Sequence, residues 1–186
     1  KEQFNLQISI NDLHESLREG LIGNRKRSGR SNSSRRKILI FIDLVDILEL
    51  SISHPVNFNK IDDLQKEFPE VIEAFKNLIN EMSNRLMHIS EVFIDGKKLQ
   101  FNKNTKNLIA EIEALIDTYK KTEPYPESRP MLLLMRNLLD YEKKQHEKIQ
   151  SIERILETIN EKNTVKLGYK KPATYSGFRI LQRGTR

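Results

Sequence analysis

Between Ser33 and His54 the chain runs SSRRKILIFIDLVDILELSISH, and this stretch constrains the fold more than any other. Ile38, Leu39, Phe41, Ile42, Val45, Leu48 and Ile52 cover one broad helical face, while Ile40, Leu44 and Ile47 cover another. A helix apolar on nearly every side is either a central core helix or a membrane span. Asp43, Asp46 and Glu49 interrupt it within seven residues, which leaves no uninterrupted apolar run of about 18 positions, so a core helix of a bundle is expected. Ser33 or Ser34 suits the N-cap, where a hydroxyl accepts an orphan amide hydrogen. Pro55 closes the helix, because the residue before a proline is pushed out of the α region.

The rest of the chain repeats the helical period. Leu6, Ile10, Leu13, Leu17 and Leu21 step by four, three, four and four residues, and Gly23 suits the residue just past the helix end. GNRKRSGRSNSS then reads as an exposed, mobile connection with nothing apolar to bury. Residues 57–66 should form a turn and a short helix. Pro69 suits the first turn of the next helix, which runs to about Ile94 on Ile72, Phe75, Ile79, Met82, Leu86, Ile89 and Phe93. A further helix spans 104–121 on Leu108, Ile112, Leu115 and Tyr119. Ser128 and Pro130 open the last and longest, to about Asn160, on Met135, Leu138, Ile149, Ile152, Leu156 and Ile159. Glu142 and Gln145 occupy the same seam, and the charged second half is expected to project as a coiled-coil-like arm. The whole is an all-α antiparallel bundle of four to five helices over residues 1–162, centred on 33–54, with a basic irregular tail over 163–186.

Charge is unevenly distributed. Residues 24–37 hold seven Lys or Arg and no acid, and residues 162–186 hold seven more with no acid. Without those fourteen, 18 of the 32 basic residues face 26 acids, so the body carries −8. Basic segments attract phosphate, either of anionic lipid or of nucleic acid. Arg25, Lys26, Arg27, Arg30, Arg35, Arg36 and Lys37 are therefore candidates for anion or lipid-headgroup contact, against the plain reading of a solvated loop. No aromatic residue lies among them to stack a base, which makes nucleic acid the weaker alternative. Asp43, Asp46 and Glu49 are expected to find buried ion-pair partners, for example Arg18, Arg85 or Arg136, since a lone buried carboxylate is costly. His14 is expected on a helix surface or at a cap; the alternative, a position near the Asp43 helix, requires that the first two helices form an antiparallel hairpin. The four histidines show no ligand spacing, no serine is paired with a base, and no phosphate loop follows a strand, so neither metal, cofactor nor enzyme activity is expected. The chain has no cysteine, and it does not begin with Met, as expected of a domain cut from a larger protein.

RRKILIFIDLVDILE, preceded by NDLHESLREGL, resembles the cytoplasmic domain of fusaric-acid-resistance-like inner-membrane proteins, closest to the YccS/YhfK type as found in Bacteroidetes. The likeness is carried by residues 5–95, with Ser33-Ser34 standing where that pattern has a Thr-Gly pair. It implies a non-catalytic assembly or regulatory domain of an efflux-type transporter for aromatic or other organic acids. It further implies the bacterial inner membrane as location, with this segment facing the cytoplasm. Its partners would be its own transmembrane region and further copies of itself.

Overall fold

In the computed structural model the described residues are 2–28, 32–53, 58–95 and 104–160. They form six helices and no strand: α1 (Glu2–Ser28), α2 (Asn32–Ser53), α3 (Phe58–Glu67), α4 (Pro69–Asp95), α5 (Asn104–Thr122) and α6 (Arg129–Asn160). The protein is the all-α bundle with a long C-terminal helix that the periodicity predicts.

Local chemistry sets the boundaries. Phe68, which precedes Pro69, separates α3 from α4; its N–H still bonds the Leu64 carbonyl at 2.8 Å. Before α6, the amides of Ser128 and Arg129 bond the carbonyls of Pro124 and Pro126 at 3.1 Å, and the Leu132 N–H bonds the Ser128 carbonyl at 3.0 Å. Two expectations are corrected here. Helix α1 extends through Ser28, so the connection to α2 shrinks to residues 29–31. Lys, Arg and Ser sustain helix as well as loop, and adding residues to an existing helix is easy. Helix α2 begins at Asn32, so the serines expected at its cap lie within its first turn.

Packing also rearranges the expected centre. The core gathers Leu64, Val71, Leu78, Ile112, Met135, Ile149 and Ile152, all essentially sealed from solvent, from α3, α4, α5 and α6. Helix α2 packs chiefly between α6 and α1, burying Ile40 and Ile47 but leaving Ile42 and Ile52 exposed. It is a flanking helix rather than the centre, because apolar residues on three of its sides meet neighbours on only two. Nor does the second half of α6 project: Ile149, Ile152, Ile155 and Leu156 are buried, and their contacts include α2 and α4. On α4 the buried seam is Val71, Phe75, Leu78, Met82, Arg85, Ile89 and Val92, at alternating steps of four and three, whereas Ile79 and Phe93 are exposed. The sequence stripe was rotated because it skipped the arginine at a core position. The basic tail, residues 163–186, lies outside the described residues.

Ile152→Ala should therefore destabilise the fold by about 3 kcal/mol, as a cavity in a sealed core does, while Ile42→Ala should cost under about 0.5 kcal/mol. Urea unfolding of the two variants measures the contrast, and the reverse order would restore α2 to the centre.

Candidate functional site

Two charged clusters tie the helices together, one inside the bundle and one at its flank. The inner one is built on Arg85 of α4, whose side chain is 7% exposed. Its Nε and Nη2 donate to the two carboxylate oxygens of Glu153 on α6, at 2.8 and 2.5 Å. Its Nη1 donates to Thr105 Oγ1 of α5 at 3.1 Å and meets His146 Nδ1 of α6 at 2.7 Å. Arginine cannot serve as acceptor, so His146 Nδ1 is the acceptor and its ring proton sits on Nε2. Burial, with the cations Arg85 and Lys106 beside it, pulls the imidazole down to about 4, so His146 is neutral at ordinary pH. Seven residues on one face of α6 separate His146 from Glu153, which lets one guanidinium span both.

Glu142 lies one turn before His146 on α6, 8% exposed, with its Oε2 buried and without a hydrogen-bond partner. Burial raises its carboxyl to about 7.

The outer cluster joins α2 to α6. Lys148 reaches Asp43 at 3.3 Å and bonds Asp46 more closely. Burial alone would lower the Lys148 ammonium, but the Asp46 hydrogen bond and the two carboxylate charges hold it above its ordinary value. Gln145 adds a 3.4 Å bond to Ser51. Pairs that climb α2 while descending α6 fix the two helices as antiparallel. Glu49 is exposed beside this cluster, in an open groove shared with Lys144, Glu147 and Lys148. Arg18 does not reach α2: it pairs with Glu15 on its own helix at 2.5 Å, and both are more than half exposed. The cation that serves the aspartates is Lys148, which the reading of the sequence missed. His14 stacks edge-on against Phe41 at 5.8 Å, as an α1–α2 hairpin requires, and burial lowers its imidazole.

Of the basic residues, Arg35 and Lys37 are exposed on the first turns of α2, while Arg36 is half-buried and its Nε has no partner. Arg25, Lys26 and Arg27 fall on the last turns of α1; Arg30 lies outside the described residues. Because α2 starts where α6 ends, residues 24–28 and 32–37 share one end of the bundle with Asn160, the last residue of α6. No group of three or more His, Asp or Glu placed to hold a metal occurs among the described residues. No helix among them is long and apolar enough to cross a membrane.

The inner cluster left one signal in the sequence: Arg85 continues the Leu78–Met82 steps on α4, as Glu142, His146 and Glu153 continue the seam of α6. What periodicity omits is which charge meets which.

Breaking the buried pair should be costly. Arg85→Ala should destabilise by about 3–5 kcal/mol by stranding Glu153, and Arg85→Met with Glu153→Leu should recover most of it; chemical denaturation of the single and double variants reads the difference.

Glu142 and His146 act oppositely with pH. The unfolded chain releases the Glu142 proton near 4.5 and the folded one near 7, so stability falls as pH rises across that window. For His146, with 6.5 unfolded and about 4 folded, stability falls as pH drops from 6.5 towards 4. Glu142→Gln should leave only the second slope and gain on the order of 1–3 kcal/mol at pH 8. Melting curves from pH 4 to 8 would show it.

A family model described as FUSC-like inner membrane protein yccS matches residues 2–161. No curated protein and no solved structure matches the chain.

Proposed function

Because this chain belongs to the FUSC-like family of inner membrane proteins, we propose that it is the cytoplasmic assembly or regulatory domain of an inner-membrane efflux transporter for aromatic or other organic acids. The observation that carries this reading is the family match over residues 2–161, which takes in all six helices. The buried charges agree with a mechanical role. Arg85, Glu153, His146 and Thr105 bind one another, as do Lys148, Asp43 and Asp46, so these groups set helix positions and carry no reaction. The domain is not an enzyme on this reading.

The end bearing residues 24–37 is the end that faces the membrane. Cytoplasmic segments near membrane spans are enriched in Lys and Arg, and each basic residue near an anionic surface contributes about 1 kcal/mol. Arg35 and Lys37 are open to such contact, and α6 ends at the same end of the bundle, before a segment that carries seven further cations over residues 162–186. Cations in the first turn of α2 oppose its dipole, and anionic headgroups offset that cost.

The reading is tested on vesicles and in cells. The domain should sediment with phosphatidylglycerol vesicles and not with phosphatidylcholine vesicles, less so at high salt. Arg35→Gln with Lys37→Gln should weaken binding about 10- to 30-fold, in line with about 1 kcal/mol for each charge. The same pair of substitutions in the intact protein should lower export of aromatic acids. Export unchanged, with equal binding to both vesicle types, would overturn the proposal.

A further inference from the structure

The first two turns of α6 carry Arg129, Leu132, Leu133 and Arg136 on one face, at steps of three, one and three. With Lys120 from the last turn of α5 and Tyr125 from the connection, they line a cavity of about 390 Å³. Small-molecule sites span on the order of 300–1,000 Å³, so the space suits a compact ligand.

Charge sets this cavity apart from the grooves beside it. Between α2 and α6, Lys144 and Lys148 are balanced by Asp46, Glu49 and Glu147. Between α5 and α6, Lys143 and the far side of Arg136 are balanced by Glu113, Asp117 and Asp140. Here three cations line the space and, among the described residues, no acid does. Lys120, Arg129 and Arg136 form no ion pair among the described residues, and Glu123 and Glu127 of the same connection are exposed and outside the lining. Like charges gathered about an apolar floor repel one another, and an anion seated among them removes that repulsion.

We propose that this cavity binds a small phosphomonoester with a planar, apolar body, the chemistry of a nucleoside monophosphate. Two features choose the class. A guanidinium fork matches phosphate oxygens, and three cations suit a dianion better than a single carboxylate. Leu132 and Leu133 lie between the two arginines, and the Tyr125 ring, 74% exposed, borders the same space, so a flat body meets one aliphatic and one aromatic wall. The orphan amides at the start of α6 add partial positive charge. From here α6 runs 32 residues, roughly 48 Å, to the end of the bundle that holds residues 24–28 and 32–37. The inference therefore goes beyond the membrane role proposed above and does not rest on it.

Calorimetry on the 186-residue chain with adenosine monophosphate (AMP) should give one site, with a dissociation constant on the order of 10–300 µM at low salt. Adenosine, which lacks the charge, and inorganic phosphate, which lacks the body, should each bind at least about 10-fold more weakly. Arg129→Gln with Arg136→Gln should weaken AMP about 100-fold, roughly tenfold for each charged hydrogen bond lost. Tyr125→Ala should weaken AMP about 3- to 10-fold and leave phosphate unchanged. These side chains are exposed, so helical circular dichroism should not change. Leu133→Glu, at a position 48% exposed, gives a second route: it sets a carboxylate between the arginines and should abolish binding. Arg35→Gln with Lys37→Gln, at the opposite end, should leave AMP binding intact. AMP binding weaker than about 5 mM, phosphate binding as tightly as AMP, or full binding by either the arginine pair variant or Leu133→Glu would overturn the proposal. So would an equal loss in the Arg35 and Lys37 variant, which would mark a general attraction of polyanions. No vesicle and no transport enters these measurements, so they stand or fall separately from the membrane role.

Discussion

The guanidinium of Arg85 is the constraint on which the arrangement of α4, α5 and α6 depends. A buried cation is tolerated only where its N–H groups are taken up, and here a carboxylate, a hydroxyl and an imidazole do so from two other helices. Apolar side chains can slide past one another at small cost, whereas a fork bonded to both oxygens of one carboxylate has a single register. The sealed residues around it supply burial energy, and the arginine selects one alignment of the three helices. His146 takes part as a neutral acceptor, which its burial enforces, with the adjacent positive charge adding to it.

Lys148 performs the corresponding task at the flank, gripping two aspartates one turn apart and holding α2 antiparallel to α6. This placement has two consequences. It brings the first turns of α2, with Arg35 and Lys37, to the end of the bundle at which α6 ends. It also turns α1, which has only α2 to lean on, into the outermost helix with its leucines uncovered.

Glu142 is the element that the rest of the structure does not compensate. A carboxyl held at about 7 by burial is neutral in much of the population near neutral pH, so its desolvation is relieved by a proton instead of a partner. Its pH dependence opposes that of His146 one turn away, and the two partly cancel across mildly acidic pH. Stability there is balanced between neighbours on one helix.

Much of this fold is legible in the residues alone. Prolines 55, 69 and 130 and the spacing of leucines and isoleucines mark every helix to within a few residues, apart from the far end of α1, because the period of 3.6 and the missing proline N–H are local properties. The acids at 43 and 46 likewise declare in sequence that they need partners. Which partners they find is not local. Lys148 lies 105 residues from Asp43 and Glu153 lies 68 from Arg85, and nothing in periodicity distinguishes those ions from others on the same faces. The sequence by itself determined the helices and their apolar stripes, through short-range sterics and solvation. Only the tertiary structure decided which stripe is covered, which helix is central and which charges meet, since these depend on how many neighbours each helix finds in space.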